Sequence, residues 1–133
     1  MSVHCDVNFP FRKSSSDYDL PIAAESGDIR YLEAVEEALD LCFEYQPELL
    51  LFQAGVDALA ADALGKLNVT RTGMQRRNEI VFERASKHNV PVVVFMGGGY
   101  AKPLDGTIDA FEDLFTQAAG WSTGRTTTSS NVQ

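Results

Sequence analysis

Basic charge, cysteine and long apolar runs are all in short supply in this sequence, and each shortage removes a class of function. Lysine and arginine number 11 against 19 aspartates and glutamates, for a formal net charge of −8 and a pI near 4.6. Phosphate contacts need a basic face, so no nucleic-acid partner is expected; an acidic surface suits a cationic ligand and also keeps a chain soluble. The two cysteines, Cys5 and Cys42, are far apart in apolar surroundings, which argues against a disulfide framework and predicts two free thiols in a reducing compartment. No run approaches a membrane span, and Met1 to Pro10 lacks the basic-then-apolar order of a signal peptide. No membrane partner is expected, and the expected location is cytoplasmic with the nucleus left open. What is present is ordinary globular composition, 44% hydrophobic and 23% charged over 133 residues, enough for one domain at most.

The chain is organised around Leu49 to Gly65, LLLFQAGVDALAADALG. Its unbroken apolar start predicts a strand buried on both faces of a parallel sheet, broken by Ala54 and Gly55. Ligands of open parallel α/β sheets gather beyond the carboxyl ends of the strands, where Asp57 stands. A turn or helix-capping role is the other reading of this aspartate. Val90 to Met96, VPVVVFM, is a second such run, ending in Gly97-Gly98-Gly99-Tyr100. A helix from Thr70 to about His88 between the runs makes a strand–helix–strand crossover, so the strands are parallel and Asp57 shares one rim with Tyr100.

Around this unit, Ser2 to Cys5 reads as the end of a strand, and Asp6 to Ser16 as a loop whose phenylalanines either line a pocket or anchor the loop. Asp17 to Pro21 reads as a short edge strand. Ser26 or Asp28 caps a helix over Ile29 to Tyr45, with Leu32, Val35 and Leu39 on its apolar face and Glu33, Glu36, Glu37, Asp40 and Glu44 on a solvated one. The thin stripe Met74, Val81, Ala85 predicts an exposed crossover helix whose Arg71, Arg76, Arg77 and Arg84 form ion pairs with Glu79 and Glu83. His88, in its last turn, is placed to favour the helix dipole. Asp105-Gly106-Thr107 caps a last helix to about Ala119, and the small polar residues 120–133 are expected to be disordered, with Trp121 closing the packed region.

Three glycines and a tyrosine can cradle a phosphate or let backbone approach a ligand while the tyrosine hydroxyl meets a carbonyl oxygen. A dinucleotide loop needs glycine where Lys102 stands, and Leu67 after Gly65-Lys66 breaks a P-loop. The second option, with Asp57 as an oxygen ligand to a metal on the same rim, describes a metal-assisted amide hydrolase.

These residues resemble the C-terminal part of a zinc-dependent deacetylase of the histone deacetylase superfamily, in the manner of its class IV and bacterial-type members. The resemblance is carried, in order, by SVHCDVNFPFRK, SDYDLP, GDIRYLEAV, QAGVDALAADALGKLNVT and PVVVFMGGGYA. It implies an α/β fold, a parallel sheet flanked by helices that forms part of the arginase/deacetylase fold. Residues 1–119 are then the C-terminal part of a histone deacetylase-like domain and residues 120–133 a Ser/Thr-rich tail. It further implies Asp57 as a Zn2+ ligand and Tyr100 as the hydrogen-bond donor to the substrate carbonyl. Ser2 and the backbone carbonyl of Val3 match ligands of a K+ site, Phe9 or Phe11 lines the acyl-lysine tunnel, and Gly98 and Gly99 belong to the substrate-binding loop.

The family's histidine pair and Asp-x-His ligands have no counterpart here: His4 and His88 lie in neither motif, and His4 of His4-Cys5-Asp6 matches a strand end. The zinc site within the sequence is incomplete, and the chain alone is expected to be inactive. One expectation is therefore a fragment of a deacetylase acting on acetyl-lysine or a similar acylated amine. The alternative is a non-catalytic α/β interaction module or degenerate remnant. In either case an unpaired sheet edge is expected to favour self-association.

Overall fold

A computed structural model describes residues 1–8 and 10–128, with side chains through residue 122. Phe9 and residues 129–133 lie outside the described residues. The elements run β1 (Ser2–Cys5), β2 (Asp19–Ile22), α1 (Asp28–Glu44), β3 (Leu50–Gln53), α2 (Arg71–Lys87), β4 (Val92–Phe95) and α3 (Asp105–Thr128). All strand pairing between named strands is parallel, β1 with β2 and β3 with β4, the latter in the register Leu50↔Val92 to Gln53↔Phe95. Among the described residues the two pairs do not join. A cavity of about 600 Å³ separates them, lined by β1, β3 and the inner face of α1.

The α1 periodicity works as expected: Tyr31, Ala34, Val35, Ala38, Leu39 and Phe43 are buried, and the carboxylates of the other face are exposed. Its N-cap is Gly27, however, because the Asp28 side chain is engaged elsewhere. The Asp28 carboxylate accepts from the Thr70 N–H at 2.7 Å and the Thr70 hydroxyl at 2.6 Å. Thr70 in turn caps α2 by accepting from the Gly73 N–H at 3.0 Å. Both helices end in left-handed residues, Gln46 with φ 49° and Asn89 with φ 57°.

The expectation that β3 is buried on both faces is corrected. Leu50, Phe52, Val92 and Val94 pack against the core, whereas Leu51, Val93 and Phe95 point the other way and are 64%, 47% and 41% exposed. Strand side chains alternate in direction, and α2 with the end of α3 covers one face only. α3 runs past Ala119, and Trp121 packs near Phe82 with ring centroids 6.3 Å apart. Thr107 lies within α3, which begins at Asp105.

The α2 arginines divide. Arg76 pairs with Glu79 and Glu83 along the helix, but Arg71 reaches α3, donating to Asp113 at 2.6 and 2.8 Å and to Asp109 at 2.8 Å, and Arg84 reaches Asp40 of α1. These bonds hold the Asp113 carboxyl below its ordinary pKa and push the Arg71 guanidinium further up. Arg77 is not exposed at all. It is 4% accessible, beneath the site described next.

Candidate functional site

The parallel pairing of β3 and β4 sends both chains out at the same rim. There the Ala54 N–H donates to Phe95 O at 2.9 Å and the Val56 N–H to Gly98 O at 2.6 Å, so the two outgoing loops continue the pairing of the strands below. They also interlock sterically. A Cβ on Gly97 would lie 2.8 Å from Gly55 Cα, and one on Gly65 would lie 1.9 Å from Asp57 O. Glycine is therefore needed at Gly97 for the approach of the two loops and at Gly65 for the Asp57 loop to close on itself. From the sequence, the Gly97–Gly99 run is expected to admit a ligand, but neighbouring backbone occupies that space at Gly97.

Asp57 stands between the loops. Its carboxylate lies against Gly98, 3.1 Å from the position a Cβ would take there, while the residue remains open toward the cavity. Lost hydration raises its pKa above 3.8, and Asp62 adds to the rise, against the lowering effects of its own backbone N–H and the Arg77 charge. Arg77 donates to Gly55 O, two residues before Asp57, and to Asn78 Oδ1 at 2.8 and 3.1 Å, with its guanidinium 5.3 Å from the centre of the Phe52 ring. This buried cation braces the start of the Asp57 loop.

Tyr100 is held by its backbone. Asp62 Oδ2 accepts its N–H at 2.6 Å, its carbonyl accepts from the Ala63 N–H at 3.0 Å, and the following Ala101 N–H donates to Thr107 Oγ1 at 2.9 Å. The side chain is 60% exposed at the rim, leaving the hydroxyl accessible. Asp62, Thr107 and Arg77 were not picked out as site residues from the sequence. Asp62 carried a legible signal, since Asp-x-x-Gly at Asp62 to Gly65 is a turn pattern in which the carboxylate accepts nearby N–H groups. The Arg77 position inside an arginine-rich exposed-looking stretch carried none.

Of the residues singled out from the sequence, Ser2, Val3, Asp57 and Gly98 line one cavity. Gly99 and Tyr100 sit beside it on the rim loop. Phe11 is 85% exposed and takes no part in the cavity wall, and Phe9 lies outside the described residues. The Ser2 hydroxyl is hydrogen-bonded to His4 Nδ1 at 2.9 Å. His88 caps the end of α2 and stacks on Phe43 with centroids 4.4 Å apart, and Cys5 and Cys42 are free. Among the described residues no group of three or more His, Cys, Asp or Glu is placed to hold a metal. A catalytic zinc needs about three protein donors. Asp57 alone does not complete such a set, and both oxygens of Asp62 are engaged by backbone N–H groups.

The family model of the histone deacetylase domain matches residues 2–115. An uncharacterized protein of Picosynechococcus sp. is 42% identical over 104 residues, covering 77% of this chain and 35% of its own length. Arabidopsis thaliana histone deacetylase 2 is 39% identical over 89 residues, covering 65% and 23%. Among solved structures, an HDAC homolog complexed with SAHA superposes with a TM-score of 0.72 at 25% identity, covering 89% of this chain and 34% of that one. Acetylpolyamine aminohydrolase from Burkholderia pseudomallei gives a TM-score of 0.67 at 22% identity, covering 84% and 36%, a likeness of fold. The chain thus spans about a third or less of the length of these relatives.

Proposed function

This chain belongs to the histone deacetylase family, and from that premise we propose that it carries the Asp57–Tyr100 part of the rim of a deacetylase that hydrolyses the amide of acetyl-lysine or a similar acylated amine. The observation that carries the reading is the pair of interlocked loops, which bring a carboxylate and an accessible phenolic hydroxyl to the carboxyl ends of neighbouring parallel strands. Asp57 would hold Zn2+, on which the family generally depends, as one oxygen donor, and the described residues do not supply the rest of the set. Tyr100 donates its hydroxyl to the substrate carbonyl oxygen and stabilises the negative charge that develops there. Ser2 and the Val3 carbonyl would contribute to a K+ site at the cavity wall, and Gly98 and Gly99 to the approach of the acyl chain.

A second reading is favoured by the incomplete donor set: a non-catalytic α/β interaction module in which the same loops persist as scaffold. Zinc titration of the purified chain by calorimetry, beside Asp57→Ala and with a fluorogenic acetyl-lysine assay, separates them. The deacetylase reading expects weak zinc binding that Asp57→Ala abolishes, and no turnover by the isolated chain. Zinc binding indifferent to Asp57 would support the scaffold reading, and tight binding with turnover would contradict the incomplete donor set.

A further inference from the structure

We propose that Asp62 is a positioning residue that clasps the Tyr100 loop to the Asp57 loop and so sets where the tyrosine hydroxyl stands relative to the Asp57 carboxylate. Asp62 is 9% exposed and uses its two oxygens on different loops. Oδ1 accepts from the Leu64 and Gly65 N–H groups at 2.8 and 2.7 Å, closing the turn that follows Asp57. Oδ2 accepts from the Tyr100 N–H at 2.6 Å, across 38 positions of sequence. Around it the backbones pair antiparallel, Asp62 opposite Ala101, with Ala63 N–H to Tyr100 O and Lys102 N–H to Ala61 O both at 3.0 Å. With the N–H and C=O of Tyr100 both held, only its side-chain torsions remain free, which is how a reactive group is pre-positioned on a loop.

The chemistry calls for a carboxylate at this position. Three N–H donors converge on it, and an ionised carboxyl group accepts on both oxygens. Asparagine would keep one acceptor for the Leu64–Gly65 turn and present an amide NH2 to the Tyr100 N–H, breaking the clasp and sparing the turn. The purpose assigned to the clasp rests on the deacetylase reading; its existence does not.

The test uses this chain with Asp62→Asn and Asp62→Ala, reading amide hydrogen exchange by NMR together with the ring resonances of 13C-labelled tyrosine. In the native chain the Tyr100 amide is expected to be protected. Asp62→Asn should speed its exchange roughly ten- to a hundredfold, the effect of losing one charge-assisted hydrogen bond, and leave Leu64, Gly65 and both strands within about threefold. Asp62→Ala should release all three amides, and in both variants the Tyr100 ring resonance should move while that of buried Tyr31 stays. An unprotected Tyr100 amide in the native chain would overturn the proposal without any variant needing to fold. Protection lost evenly across Leu50–Gln53 and Val92–Phe95 in Asp62→Asn would overturn it too, by making Asp62 a general support of the fold. Neither readout needs zinc or turnover, so an intact clasp beside zinc binding that is indifferent to Asp57→Ala would count against the deacetylase reading alone.

Discussion

The rim and the outer face of the strands that carry it are neighbours in sequence and opposite in character. At the rim, the two loops are joined by backbone hydrogen bonds, by Asp62 and by the buried Arg77, and among the described residues no buried side-chain nitrogen or oxygen lacks a partner. Below it, Leu51, Val93 and Phe95 present an apolar face at 64%, 47% and 41% exposure. A loop can be closed by short-range hydrogen bonds that its own residues supply. A sheet face is closed only by a packed layer, whereas Leu51 and Phe95 border the cavity that lies between them and β1 with the inner face of α1. The site's geometry is thus built from within the chain, while the sheet beneath it is finished on one side.

The largest expected break in that contrast is Gly65→Ala. Its Cβ would meet the Asp57 carbonyl at 1.9 Å, so the backbone of the Asp57 loop must move, at about 3 kcal/mol, the upper range for overpacking. Thermal denaturation should show the loss, whereas an alanine at exposed Gly120, which meets nothing within 4 Å, should show none. Next is Arg77→Met, which leaves the Gly55 carbonyl and Asn78 Oδ1 without their buried donor and should cost about 2 kcal/mol in chemical denaturation.

Asp57→Asn works in the opposite direction. Partial loss of hydration between the loops raises the folded-state pKa of Asp57, although the residue stays open to the cavity, so the stability linked to this group is fully present below pH 3.8 and is lost as pH rises through the raised value. The amide variant should therefore melt higher than the native chain at neutral pH, with the difference closing as pH falls below 3.8. A variant that melts lower at neutral pH would remove the desolvation account of this carboxylate.

The smallest effect belongs to the open face. Leu51→Thr with Val93→Thr should change monomer stability by no more than about 0.5 kcal/mol, because both side chains are already largely in water. We expect self-association, followed by sedimentation velocity, to decrease. Association unchanged by the pair would shift the contact to the unpaired strand edges.

The elements that were legible in the sequence are those whose signals are local. The α1 stripe, the Thr70 cap and the two parallel strands with Asp57 and Tyr100 at one end follow from periodicity, capping chemistry and crossover topology. What was illegible depends on partners distant in sequence. Arg77 looked like one more surface arginine because its neighbours Arg76 and Glu79 are exposed, and only the approach of Gly55 and Phe52 makes it internal. Asp28 looked like a cap because its fold partner, Thr70, lies 42 positions away. The open side of β3 was hidden for a related reason, since an apolar run does not say which face a helix will cover.

The central claim is that these two loops carry a deacetylase rim. Its most direct test is to graft the matched segment of this chain into Arabidopsis thaliana histone deacetylase 2, in place of the segment it resembles, and to measure turnover of an acetyl-lysine substrate once circular dichroism shows the graft folded. The account predicts turnover, abolished by Asp57→Ala and lowered about 100- to 1,000-fold by Tyr100→Phe, the range for losing one oxyanion donor. A folded graft without turnover, or one whose turnover survives both substitutions, would contradict it.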